Sequence, residues 1–82
     1  MIAYNLKTPI TVGTETYTEL NFRPLRFGDA EALFDAKNEM HAMRILLCRM
    51  ANVPDAVIAE LDLQDVSDIL AEIGSELKIP AI

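Results

Sequence analysis

The chain has 82 residues, 51 % of them hydrophobic, with a net charge of −6 and a single cysteine. That is room for one modest core, and the composition is too apolar for intrinsic disorder. One cysteine excludes an internal disulfide, and an acidic balance disfavours binding to phosphate backbones.

No basic segment followed by an apolar stretch opens the chain, so no signal peptide is expected. No apolar run approaches the roughly 20 residues that span a bilayer, so no membrane partner is expected either. Both point to a reducing cytoplasm. A domain this small and this rich in aliphatic residues is expected to hide part of its surface in a partner or a second copy.

The charge is unevenly placed. Residues 1–50 carry six basic and six acidic side chains, whereas residues 51–82 carry seven acids against Lys78 alone. The plain reading of those acids is a solvated helix face. A basic protein partner would be complementary to it.

Ile2, Tyr4, Leu6, Ile10 and Val12 fall on alternate positions, the period of a half-buried strand. Pro9 cannot donate to a ladder and implies an edge strand or a break. After the turn signal Gly13-Thr14-Glu15, the run to Phe22 alternates again. It places Thr18, Leu20 and Phe22 on one face and Tyr17, Glu19 and Asn21 on the other. A β-hairpin over about residues 2–23 follows, closed by Arg23-Pro24.

Gly28-Asp29 reads as a helix start, with Asp29 as its cap. Residues 29–51 contain no proline or glycine beyond that start and are rich in helix formers, with Leu33, Ala36, Met40, Met43, Leu47 and Met50 in an apolar stripe. A break near Lys37-Asn38 would divide this stretch into two helices. Asn52-Val53-Pro54 ends it, and a short helix over 54–60 turns Val57, Ile58 and Leu61 inward. Asp62 can cap a last helix over 63–77, with Leu63, Val66, Ile69, Leu70, Ile73 and Leu77 on one stripe and Asp65, Asp68, Glu72 and Glu76 opposite. Pro80 ends the order. The expected architecture is therefore α+β, one domain over residues 1–82: an N-terminal hairpin followed by three to four helices in a small bundle.

Catalytic chemistry is hard to find. His41 and Cys48 lie seven residues apart on one helix, about 10.5 Å along its axis, too far to share a metal or act as a nucleophile pair. The three glycines, Gly13, Gly28 and Gly74, are scattered, so no phosphate loop is present. The acids of the last helix have no aromatic or polar surroundings that would split their pKa values. No enzyme activity, cofactor or metal is expected.

The order of features resembles a known family. Pro9-Ile10-Thr11-Val12, the glycine turn, and the run Tyr17-Thr18-Glu19-Leu20-Asn21-Phe22-Arg23-Pro24 are similar to the start of small tail assembly proteins of contractile-tailed phages. Asp29, then Val53-Pro54-Asp55, then Leu61-Asp62-Leu63-Gln64-Asp65 continue the likeness over about residues 4–73. These are the Mu-like prophage tail assembly proteins and the phage tail protein E family. The chain departs from them at Phe22, where a second basic residue is common, and at Val66, where an aromatic is.

The resemblance implies a non-catalytic tail assembly chaperone. Such a protein coats the helical, aggregation-prone tape measure protein in the host cytoplasm before the tail tube polymerises, and is absent from the mature virion. A groove for that client, of the kind that holds an amphipathic helix, would draw on Met40, Met43, Leu47, Ile69 and Ile73, with Leu20 and Phe22 from the hairpin. The same residues also read as ordinary core. Two other functions fit the features: a structural tail or capsid accessory subunit kept in the virion, and an acidic regulatory protein-binding module.

Overall fold

The computed structural model describes residues 2–76. Two antiparallel strands, β1 (Ile2–Val12) and β2 (Glu15–Phe22), form a hairpin. Helix α1 (Phe27–Ala32) follows and runs into a single 3₁₀ turn, Leu33–Asp35. Then come α2 (Glu39–Ala51), the short α3 (Asp55–Ala59) and α4 (Leu63–Glu76). The architecture is α+β.

The hairpin turns at Gly13-Thr14, where Gly13 has φ = 63°. A two-residue hairpin loop needs a positive φ, and glycine adopts it without a Cβ clash. Near the open end, Ile2 pairs with Phe22 and Tyr4 with Leu20, so even residues of both strands face the core. Between Asn5 and Ile10 the register shifts, and Ile10 then pairs with Tyr17. Four residues of β1, Leu6 to Pro9, stand there against Thr18 alone. Pro9 has no N–H for the ladder and sits in this irregular segment.

An odd shift exchanges the faces of β2. The alternation of the sequence assigns Thr18 to the face of Leu20 and Phe22, and Tyr17 to the other. The structure reverses both: Tyr17 packs against the core and Thr18 is exposed.

The helical stretch expected over 29–51 is two helices, parted at Ala36–Asn38. Asn38 caps α2, its side-chain oxygen accepting the His41 N–H at 2.9 Å. Asp29 is not the N-cap residue: α1 begins two residues earlier, and Asp29, buried in its first turn, accepts the N–H of the cap residue Arg26. Asn52 ends α2 in the left-handed region (φ 54°, ψ 49°), which asparagine tolerates better than most residues. Pro54 sits just outside α3 as its N-cap. Asp62 accepts the Gln64 N–H at 3.2 Å at the head of α4. Leu77 and Pro80 lie outside the described residues.

One face of the hairpin carries the core. Tyr4, Ile10, Leu20 and Phe22 meet Leu47 and Met50 of α2, Val57 and Ile58 of α3, Leu61, and Ile69 and Ile73 of α4. Helix α2 packs on β2 and α3, while α4 packs on β1. The bundle therefore takes the form of a helical layer laid on the hairpin. Helices α2 and α4 share that floor without close backbone contact with each other.

Candidate functional site

Two buried carboxylates set where the helices lie. Asp29 is 1 % exposed and takes four donors: both Nη atoms of Arg23 at 2.7 and 2.8 Å, Nε of Arg49 at 2.9 Å, and the Arg26 N–H at 2.9 Å. It thereby joins the end of β2, α1 and the last turn of α2. The Arg23 guanidinium, helped by the Arg26 N–H and Arg49, holds the Asp29 carboxyl well below the usual carboxylate range. A backbone bond from the Arg23 N–H to the Met50 carbonyl (3.0 Å) reinforces the same junction.

The second carboxylate is Asp65, expected on the exposed acidic face of α4 but 1 % exposed in the structure. Its Oδ1 accepts the Tyr4 hydroxyl at 2.7 Å, and its Oδ2 lies 3.4 Å from the Lys7 N–H. Asp68, one turn on, offers the same hydroxyl a second acceptor at 3.1 Å and pairs with Lys7 Nζ at 3.5 Å. The Asp65 and Asp68 carboxylates push the Tyr4 phenol well above its ordinary range, with Asp65 the larger influence. Asp68 is lowered, first by the Gln64 amide and then by Tyr4 and Lys7. Among the described residues no buried side-chain nitrogen or oxygen lacks a partner. This cluster fixes the first half of α4 on β1.

With α2 tied to β2 and α4 tied to β1, a groove of about 400 Å³ remains between them. Leu47, Ile58 and Leu61 form its floor. Met40 and Met43 line the α2 side, and Leu63 and Val66 the α4 side. Met40 is 64 % exposed and Leu63 74 % exposed. Arg44 also lines the groove and pairs with Asp55 of α3 at 3.3 Å.

The residues expected to form a client groove separate into two groups. Leu20, Phe22, Ile69 and Ile73 are buried in the core between hairpin and helices and do not line this groove; Phe22 and Ile73 border a smaller pocket with Ile2, Leu25 and Met50. Leu47 is also buried, as floor. Only Met40 and Met43 stand at the groove as accessible side chains. Leu63 and Val66 complete the opposite wall. Their position was signalled by Asp62: a capped helix presents its first turn at the end of its stripe, beyond the floor that buries Ile69 and Ile73. Phe27 and Phe34, 81 % and 88 % exposed, form further apolar surface on α1 and the 3₁₀ turn.

His41 lines the groove and accepts the Lys37 N–H at Nδ1. Cys48 lies by Asp55, its thiol pushed up by burial and by that carboxylate. Among the described residues no three His, Cys, Asp or Glu side chains gather as metal ligands, and no helix is long and apolar enough to cross a membrane.

The structure is a small layered domain with an open groove between two helices and its buried charges consumed in structural contacts. Its family is clear from the sequence: residues 3–76 match the family described as phage tail assembly chaperone proteins, E, or 41 or 14, and the chain belongs to it. That is a chaperone family, in keeping with a non-enzymatic role. No curated protein and no solved structure matches the chain.

Proposed function

We propose that this tail assembly chaperone binds the tape measure protein and keeps it soluble in the host cytoplasm until the tail tube assembles around it. The observation that carries the reading is the groove between α2 and α4, with the accessible apolar side chains Met40, Met43, Leu63 and Val66 along its walls. Exposed apolar surface on a small soluble domain marks an interaction site. The chain has no need of a cofactor for this, and leaves the particle once the tube has formed.

Self-association belongs to the same proposal. Phe27 and Phe34 project from the half of the chain whose charges balance, so two copies can meet there without opposing their acidic halves.

Co-expression with the tape measure protein, followed by pull-down and light scattering, tests the reading. A client that becomes soluble and co-purifies supports it. A client that aggregates with nothing co-purifying removes it. Stoichiometric amounts of the chain in purified virions would instead identify a structural subunit.

A further inference from the structure

We infer that α4 is a detachable wall of the groove: it leaves β1 as a unit and melts, while the hairpin, α1, α2 and α3 stay assembled. This holds whichever client the groove takes.

The helices are not held alike. Among the described residues α1 lies against α2 and the 3₁₀ turn, α2 against β2, α1, the 3₁₀ turn and α3, and α3 against α2 and β1. Helix α4 has close backbone contact with β1 alone. The polar fastenings divide the same way. Asp29 binds β2, α1 and α2 to one another and touches nothing of α4. Apart from its cap at Asp62, the side-chain bonds that tie α4 to the rest of the described chain come from Tyr4 and Lys7 of β1. They end on Asp65 and Asp68, in the first half of the helix. Past Asp68, Ile69 and Ile73 hold it by apolar packing.

The helix is also weak in itself. Gly74 lowers its stability relative to alanine, and a Cβ there would meet nothing within 4 Å, so no close approach requires the glycine. Its last turn holds no basic residue to offset the helix dipole. A helix of 14 residues has little stability alone in water, so once off β1 it melts. The pivot is Asp62: Leu61 before it is buried in the core, and Leu63 after it is exposed.

Leu63 and Val66 form the α4 side of the groove, so opening removes that wall and uncovers Ile69 and Ile73. The α2 wall stays, because its own fastenings lie elsewhere. A segment held by few contacts opens at lower free energy than the whole chain unfolds.

Amide hydrogen exchange of the full chain, read residue by residue by NMR, tests this. The Ile69 amide should be less protected than the Leu47 amide and should respond less to low urea, since opening α4 exposes less surface than global unfolding. Arg49→Ala severs the link from α2 to Asp29, which α4 opening leaves intact. It should lower protection at Leu47 severalfold and leave Ile69 unchanged. Tyr4→Phe weakens the closed state against both the open and the unfolded one, and should lower protection at both amides by the same factor. Should that variant fail to fold, Gly74→Ala reads the same relation in the other direction, raising both about fivefold.

Equal protection and equal urea dependence at Ile69 and Leu47 would mean that α4 leaves only when the whole chain unfolds, which overturns the inference. So does an Arg49→Ala variant that lowers protection at Ile69 as much as at Leu47.

Discussion

Arg23 and Asp29 face each other fork to fork, with Nη1 to Oδ2 at 2.7 Å and Nη2 to Oδ1 at 2.8 Å, six residues apart across the Pro24–Gly28 connector. The pair is the pivot on which the chain leaves the sheet and enters the helices. It is a bidentate, charge-assisted contact, and its carboxylate is fully enclosed while the guanidinium keeps partial access to water.

Removing Asp29 breaks four hydrogen bonds at once, whereas changing Arg23 leaves Arg49 and the Arg26 N–H on the carboxylate. Asp29→Ala leaves Arg23 and Arg49 without their shared acceptor and is expected to destabilise the fold by about 3 kcal/mol. Urea denaturation should show a lower midpoint at a similar slope. Arg23→Lys keeps the charge but loses the fork, and should shift the midpoint in the same direction by less.

The acid limb of stability follows from the same carboxylate. Asp29 is depressed in the folded chain, and Asp68 is lowered too. The unfolded chain therefore binds more protons, and stability rises with pH. Their contribution is fully present above the ordinary carboxylate pKa of about 4 and is lost as pH falls below it toward the folded values. Denaturation midpoints measured from pH 6 down to about 2 should fall, and the fall should shrink in Asp29→Asn.

Tyr4 predicts the opposite limb. Its phenol is raised in the fold, so its contribution is present below the ordinary value of about 10 and declines as pH rises through and beyond it. Tyr4→Phe should lose stability at neutral pH, because Asp65 is left buried without its hydroxyl donor. The variant should also lose this part of the alkaline decline. Phenolate absorbance should show the Tyr4 hydroxyl resisting ionisation until the chain unfolds.

Core and groove should respond differently to truncation. Ile69→Ala removes a fully buried side chain and is expected to cost about 3 kcal/mol, a large share of what so small a domain possesses. Met40→Ser, on an exposed position, should leave the Tm within a few degrees. Equal losses at both positions would mean that Met40 is not surface.

Backbone conformation gives a sharper contrast. Gly13 and Asn52 both have positive φ. Gly13→Ala has open space for its Cβ and should cost about 1 kcal/mol through backbone strain alone. Asn52→Gly relieves such strain in the fold while loosening the unfolded chain, and should be close to neutral. Thermal melts read both.

Local signals in the chain disclose much of this architecture. Alternation around Gly13 gives the hairpin, the asparagine at 38 marks the helix break, and Asp62 marks the head of α4. What stayed hidden depends on partners distant in the sequence. Asp65 reads as one more acid on a solvated face until Tyr4, 61 residues away, is brought beside it. Tyr17 reads as outward-facing because the extra residues around Pro9 alter the pairing from the other strand. The candidate site suffered most. An apolar stripe looks the same whether it meets its own chain or a client, so Ile69 and Ile73 could not be told from Met40 by spacing. What divides them is that α2 and α4 rest on different strands, a feature of topology that no helical period contains.

Because α4 closes on β1, β1 leaves the ribosome well before the helix that packs on it. Throughout synthesis of the residues between, Tyr4 has no α4 to shelter it, and the core cannot be completed on partial chains. Premature termination before α4 should yield a product that is cleared rather than a smaller working one. A member of a chaperone family thus passes through an exposed interval of its own at every round of translation.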